Sequence, residues 1–252
     1  MNVTKIIFSP TGGTKQVVDA LTAGLAGNAA KIDLTSPKTD FTTVKFGADD
    51  VVVIGVPSYG GLVPLLATER LAKMQGNGAK CVIVCVYGNR AYEDTLVELN
   101  DVAEESGFKV IAAVAAIAEH SIARQYATGR PDKEDRAELN SFGAKIAEKI
   151  NADNMSKPAI PGNRPYKKRG GSPSVPQAGE KCDGCGLCVK VCPAQAIDSN
   201  TKIADAAKCI GCMRCVAQCP NSARKLDENR VLAIGAMLKE VCSVRKDNEL
   251  YL

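Results

Sequence analysis

Asn2-Val-Thr-Lys-Ile-Ile-Phe8 runs directly into Ser9-Pro10-Thr11-Gly12-Gly13-Thr14, and Thr14 opens a helical pattern that lasts to Ala26. A strand that ends in a glycine turn and restarts as a helix is a phosphate cradle. Hydroxyls of Ser9, Thr11 and Thr14 can donate to phosphate oxygens, the glycines let backbone amides approach closely, and the helix amino terminus favours negative charge. The loop lacks G-x-x-x-x-G-K-[ST] for a nucleoside triphosphate and G-x-G-x-x-G for a dinucleotide. Ser/Thr-Gly turns also cap helices for purely structural reasons.

Outward from this turn, apolar strand-like runs alternate with helical patterns, which argues for a parallel sheet covered by helices. Strands are expected near residues 2–8, 30–34, 51–55, 79–86 and 109–118, and helices near 14–26, 63–74, 92–106 and 132–150. Residues 35–49 specify no clear helix. The expected class is α/β: a five-stranded, doubly wound parallel sheet. Ligands of such sheets sit beyond the carboxyl ends of the strands, at the topological switch point. Two further loops fall there, Pro57-Ser58-Tyr59-Gly60-Gly61 after the third strand and Tyr87-Gly88-Asn89-Arg90-Ala91-Tyr92 after the fourth.

Ser9, Thr11, Gly12 and Thr14 match, position by position, the S-x-T-G-x-T loop that holds the FMN phosphate in flavodoxins, and residues 1–150 resemble that family. The resemblance implies FMN as cofactor, with Gly13 inside the phosphate loop. Pro57, Ser58, Tyr59, Gly60, Gly61, Tyr87, Gly88, Asn89, Arg90 and Tyr92 would lie around the ring. Tyr59 is assigned as the stacking residue, because a tyrosine presents an apolar face with a polar tip; which of Tyr87 and Tyr92 faces the flavin stays open. Arg90 either stabilises negative charge on reduced flavin or is solvated. Two other users of this topology are disfavoured. A response regulator needs a phosphoacceptor Asp where the chain has Gly55-Val56-Pro57, and a low-molecular-weight tyrosine phosphatase needs a cysteine in the first loop. The single His120 follows the fifth strand; its pKa range suits proton delivery, and a loop histidine without a chemical task is the alternative. No residue is assigned a catalytic role.

The last third of the chain carries Cys182-x2-Cys185-x2-Cys188-x3-Cys192-Pro193 and, 27 residues on, Cys209-x2-Cys212-x2-Cys215-x3-Cys219-Pro220. Such an internal duplication is not accidental crowding of thiols. It is the ligand set of two 4Fe-4S clusters. Zinc sites use separated C-x2-C pairs, into which these runs do not divide. Disulfides are disfavoured because no signal peptide is visible and Cys81, Cys85 and Cys242 are left over, as expected of a reducing compartment. The segment closely resembles bacterial two-cluster ferredoxins, in which the fourth cysteine of each run serves the other cluster. That resemblance implies Cys182, Cys185, Cys188 and Cys219 on one cluster and Cys209, Cys212, Cys215 and Cys192 on the other.

The chain has 252 residues, 45% of them hydrophobic, enough for one substantial core and a smaller unit. Its apolar runs are too short to cross a bilayer, so a soluble, cytoplasmic protein is expected. The net charge of +4 is concentrated in a Pro/Gly/basic connector, which contains Arg164-Pro-Tyr-Lys-Lys-Arg169. The connector reads as a solvated linker able to steer an acidic redox partner. No fold around it supports nucleic-acid binding, and no membrane contact is expected. The expected division is 1–152 for the FMN-binding unit, 153–177 for the linker, 178–228 for a small α+β two-cluster ferredoxin-like unit, and 229–252 for a helix and tail. Asn229 would cap that helix, with Val231, Ile234, Leu238 and Val241 on its packed face.

A flavodoxin-like half joined to a two-cluster half resembles the flavodoxin-ferredoxin fusion family. The resemblance implies an electron-transfer flavoprotein that meets a ferredoxin-type donor or acceptor, with exchange between subunits of a homodimer an open arrangement. An FMN-dependent reductase of a quinone, nitro compound or ferric chelate is a second reading. A flavin-free domain that docks a ferredoxin on a partner is a third.

Overall fold

Five parallel strands of four to nine residues, the central ones rich in valine and isoleucine, build the sheet. β1 (Val3–Ile7) lies between β2 (Ala30–Asp33) and β3 (Val51–Pro57), and β4 (Lys80–Tyr87) and β5 (Lys109–Ile117) follow, all parallel. The order 2-1-3-4-5 is that of the flavodoxin-like doubly wound sheet. This computed structural model describes residues 2–171 and 174–252. Met1, in the expected first unit, and Ser172 and Pro173, in the expected linker, lie outside the described residues. Residues 35–49 form only a short 3-10 turn at Phe41–Thr43.

Helices cover both faces, which is why the central strands are apolar throughout rather than alternating. α1 (Gly13–Leu25) and α4 (Lys133–Asn151) close over one face around Val17, Leu21, Val53, Leu139 and Ile146. α2 (Leu65–Leu71) and α3 (Thr95–Glu105) close over the other around Ile54, Leu71, Ile83, Leu96 and Leu99. α2 is shorter than the residue 63–74 pattern because Pro64 sits at its amino end and its carbonyl accepts from the Ala67 and Thr68 amides. α4 begins in a reciprocal capping box between Asp132 and Asp135. α1 and α4 cross so closely that a methyl on Gly143 would overlap the Leu21 carbonyl oxygen, and one on Gly24 the carbonyl of Asn140.

The connector does not run free in solvent. Arg164 and Tyr166 bind Asp101 of α3, Lys167 binds Glu93 and Asp94, Arg169 binds Glu98, and Lys157 pairs with Glu104 at 2.7 Å. A composition that orders poorly alone is tied down by an acidic row on α3. These cations stay at the surface but are paired with acids of the first unit, which offsets their field toward a partner.

The small unit pairs β6 (Gln177–Ala178) with β7 (Arg224–Lys225) and holds two short helices, α5 (Leu187–Val191) and α6 (Arg214–Ala217). α7 (Glu228–Cys242) follows, one turn earlier than expected: Asp227, not Asn229, caps it by accepting from the Arg230 amide. Its buried face is Leu238 and Cys242 with Ile234 against Ala123, whereas Val241 is 49% exposed. The expected face is thus rotated by one residue, toward Cys242. The tail returns to the first unit as β8 (Glu249–Tyr251), a sixth, antiparallel strand on β5 that the sequence reading lacks. Asn248 anchors it, accepting from the Ile117 amide and donating to Asp135 and Glu138. No described helix is long and apolar enough to cross a membrane.

Candidate functional site: the carboxyl edge of the sheet

At the end of β1 the chain turns through Gly12, whose φ of +99° belongs to glycine. The Ser9 hydroxyl accepts from the Lys15 amide at 2.9 Å and the Gly12 carbonyl from the Gln16 amide at 3.1 Å, so the loop is built as an extension of α1. Thr14 is buried and Thr11 exposed. Two cavities meet at Thr11. One is lined by Ser9, Thr11, Gly12, Lys15, Lys31 and Arg214, the other by Gly13, Gln16, His120, Arg124, Arg130 and Met213 among others. Both are closed on their far side by α6 of the cysteine-rich unit.

Of the other expected ligand residues, Tyr59 lies near Cys212 of the cysteine-rich unit and lines neither of these two cavities. It sits in a tight turn, exchanging backbone hydrogen bonds with Leu62. Burial, and secondarily its closeness to the Cys212 sulfur, raises its hydroxyl pKa well above the usual phenol value. Ser58 bonds Thr95 at 2.7 Å, Pro57 ends β3, Gly60 has a positive φ, and a methyl on Gly61 would overlap the Glu93 carboxylate. The 87–92 loop is turned toward the tail. Tyr87 packs on Tyr92 with ring centres 5.3 Å apart, and the Tyr92 hydroxyl donates to Glu249 and shares a hydrogen bond with Tyr251. Asn89 donates to the carbonyls of Cys242 and Val244, capping α7, while Arg90 pairs with Glu93. Gly88 lies under His120. Neither cavity beside Thr11 is lined by residues 57–61 or 87–92.

His120 Nδ1 accepts from the amides of Ile122 and Ala123, and burial together with nearby Arg90 lowers its pKa. It is therefore neutral at pH 7, with its proton on Nε2, where it can donate but does not titrate into the acid role.

The eight motif cysteines divide between two further cavities. One is lined by Cys182, Cys185, Cys188 and Cys219, the other by Cys192, Cys209, Cys212 and Cys215. Each wall set takes three thiols from one motif and the fourth from the other. Backbone amides aim at the sulfurs: Ala223 at Cys219 (3.2 Å), Ala196 at Cys192 (3.3 Å) and Gly211 at Cys209 (3.5 Å). Such amides favour thiolate and suit a cluster. Burial pushes the Cys212 thiol up to about 12 and Cys215 to about 11. At Cys219 burial is outweighed by amide hydrogen bonds and the thiol lies below its ordinary value.

The two sets differ in position. Cys182 and Cys185 are exposed; Cys192 and Cys212 are buried. The second set faces the sheet, where Ile210 joins the core around α2 and Arg70 clamps the two units by donating to Leu34 and, at 2.8 Å, to the Pro193 carbonyl. Arg70 and Arg214 escape a sequence reading: one lies on an ordinary amphipathic helix, the other in a motif spacer whose identity the cysteine rule leaves free.

In sequence, residues 175–220 match the 4Fe-4S dicluster domain. The chain joins a flavodoxin-like sheet to a 4Fe-4S dicluster domain. No curated protein matches it in sequence. Among solved structures, similarity is found to a flavodoxin of Streptococcus pneumoniae TIGR4, with 20% identity, 58% of this chain and 99% of that one covered, and a TM-score of 0.41. Flavodoxin 1 of Bacillus cereus gives 16% identity, 59% and 98% coverage, and 0.44. Rubredoxin oxygen:oxidoreductase of Desulfovibrio gigas gives 13%, 62% and 37%, and 0.46.

Proposed function

We propose that this flavodoxin-like, dicluster-domain chain is an electron carrier, relaying electrons between two 4Fe-4S clusters and FMN, with unit boundaries near residues 152 and 178. The observation that carries the reading is the crossed division of the cysteines into two four-thiol cavities, the inner one set against the carboxyl edge of the sheet. Cys182, Cys185, Cys188 and Cys219 would hold the outer cluster; Cys192, Cys209, Cys212 and Cys215 the inner. Ser9, Thr11, Gly12, Gly13 and Thr14 would hold the FMN phosphate, a role supported by the cationic cavity beside them. The remainder of the cofactor would extend into the neighbouring cavity, where His120 offers Nε2–H and Met213 an apolar wall. Clusters pass single electrons, and bound FMN supplies the exchange between one-electron and hydride-level chemistry. The exposed outer cysteines suit encounter with a cytoplasmic ferredoxin-type partner.

Anaerobic purification followed by iron and flavin analysis tests this. About eight irons and one FMN per chain are expected for two four-iron clusters and one flavin site. Steady turnover of a small acceptor faster than free FMN would turn the carrier into a reductase. A flavin-free docking role is the second reading. It draws on the engagement of Asn89 and Tyr92 by the tail, and iron without flavin would establish it.

A further inference from the structure

Arg214 is a mostly buried guanidinium with too few partners. Its Nη1 reaches the Ser9 carbonyl only at 3.4 Å, its Nη2 stands 4.0 Å from Asp33, and its Nε is buried without a hydrogen-bond acceptor. The other buried arginines are better held: Arg224 also has a buried Nε without an acceptor, but its two Nη groups donate to carbonyls at 2.7 and 2.8 Å, and Arg130 grips Asp135 and the Lys246 carbonyl. The great majority of buried polar groups are bonded, and a guanidinium with no close partner at any of its three nitrogens is one that a ligand can complete. Arg214 lines the cavity that holds Ser9, Thr11, Gly12, Lys15 and Lys31, in which Asp33 is the one acidic wall residue. Asp33 is turned toward Thr35, whose amide and hydroxyl both donate to Oδ1, and its Oδ2 stays 4.0 Å from Arg214, beyond hydrogen-bond reach. Lys15 pairs with Asp19, which leaves Arg214 and Lys31 as the cations that share this cavity with the phosphate loop, and a planar guanidinium suits phosphate oxygens.

We propose that Arg214, contributed by the cysteine-rich unit, is a ligand of the cofactor phosphate bound on the Ser9–Thr14 loop, and that it couples phosphate binding to the inner cluster. The coupling follows from position. Arg214 stands between Cys212 and Cys215, so the backbone that places the guanidinium is the backbone that presents two thiolates to the inner cavity. A ligand that fixes Arg214 also fixes those cysteines, and by linkage a filled inner cavity favours the ligand equally. The inference rests on FMN being the cofactor of the first unit.

The test uses full-length, cluster-loaded protein, titrated anaerobically with FMN and with riboflavin, which lacks the phosphate. Arg214→Ala is expected to weaken FMN binding about 10- to 100-fold and to leave riboflavin binding within about twofold, the loss of one charge-assisted contact. Arg214→Lys keeps the charge but not the fork and is expected to fall between. Saturating FMN is expected to slow iron release to a chelator in wild type and to have no such effect in Arg214→Ala. If wild type retains FMN, and Thr11→Ala weakens it, while both Arg214 variants bind FMN as tightly as wild type, the inference is wrong and the FMN reading stands. Wild type that binds neither flavin overturns both. Should Arg214→Ala lose its clusters, Arg214→Lys alone decides, and unchanged FMN affinity in it sinks the proposal.

Discussion

Thr11 and Thr14 share one loop but differ in setting: the first is exposed at the meeting of two cavities, the second buried at the start of α1. Thr11→Ala removes only a phosphate donor, so FMN affinity is expected to drop about tenfold, the size of a hydrogen bond to a charged group, with iron content unchanged. Fluorescence titration checks it; equal affinities would remove the phosphate-loop assignment. Gly143 carries a different kind of information, since its missing side chain is what lets α4 meet α1. Gly143→Ala pushes a methyl into backbone and is expected to destabilise by about 1–3 kcal/mol in chemical unfolding. Gly27→Ala meets nothing within 4 Å and serves as the neutral control. The phosphate loop is legible because three hydroxyls and two glycines are consecutive. Gly143 is not, because its partner Leu21 is more than a hundred residues away.

Among the elements, the connector departs furthest from expectation. Its cations looked solvated because their partners lie on α3, in a helix whose acids read as an ordinary wet face. Burial opposes ionisation of Asp101, but hydrogen bonds from Arg164 and Tyr166 outweigh it and hold the carboxyl at about 2, against an ordinary 3.8. A depressed carboxylate contributes its stability in full above the unfolded value and loses it as pH falls toward the folded one. The difference in thermal stability between wild-type apoprotein and Asp101→Asn should therefore be constant above about pH 5 and vanish as the pH approaches about 2. A difference that persists at the acid end would mean that Asp101 does not hold the connector through its charge. α7 shows a milder displacement: its period was visible, but which flank of the stripe is covered depends on Ala123 and Tyr126, which come from the other unit.

Across the whole molecule, the tail is the strap. β8 completes the sheet, Asn89 caps α7, and Asn248 sits among Ile117, Asp135 and Glu138, so the last residues are held on the first unit at three places. Asn248→Ala leaves the Ile117 amide without its acceptor in a buried place, while Asp135 keeps Arg130. A loss of about 1–3 kcal/mol is expected, read as a lower unfolding midpoint, and no change would show that the strap is dispensable. The two cysteine sets should also separate in function. Cys185→Ser, on the exposed set, is expected to slow exchange with an external ferredoxin while sparing FMN affinity; a weakened FMN affinity would break the outer and inner ordering. By itself the sequence determined the alternating strands and helices, the phosphate loop and the doubled cysteine motif, since each is written in neighbouring residues whose spacing is dictated by backbone geometry. Only the tertiary structure decided that the inner cysteines lie against the sheet, that Arg70 and Arg214 bridge the units, and that the tail returns as a strand. Those contacts join residues 123 to 205 positions apart or lie across a sheet edge, where packing complementarity acts and no local period records it.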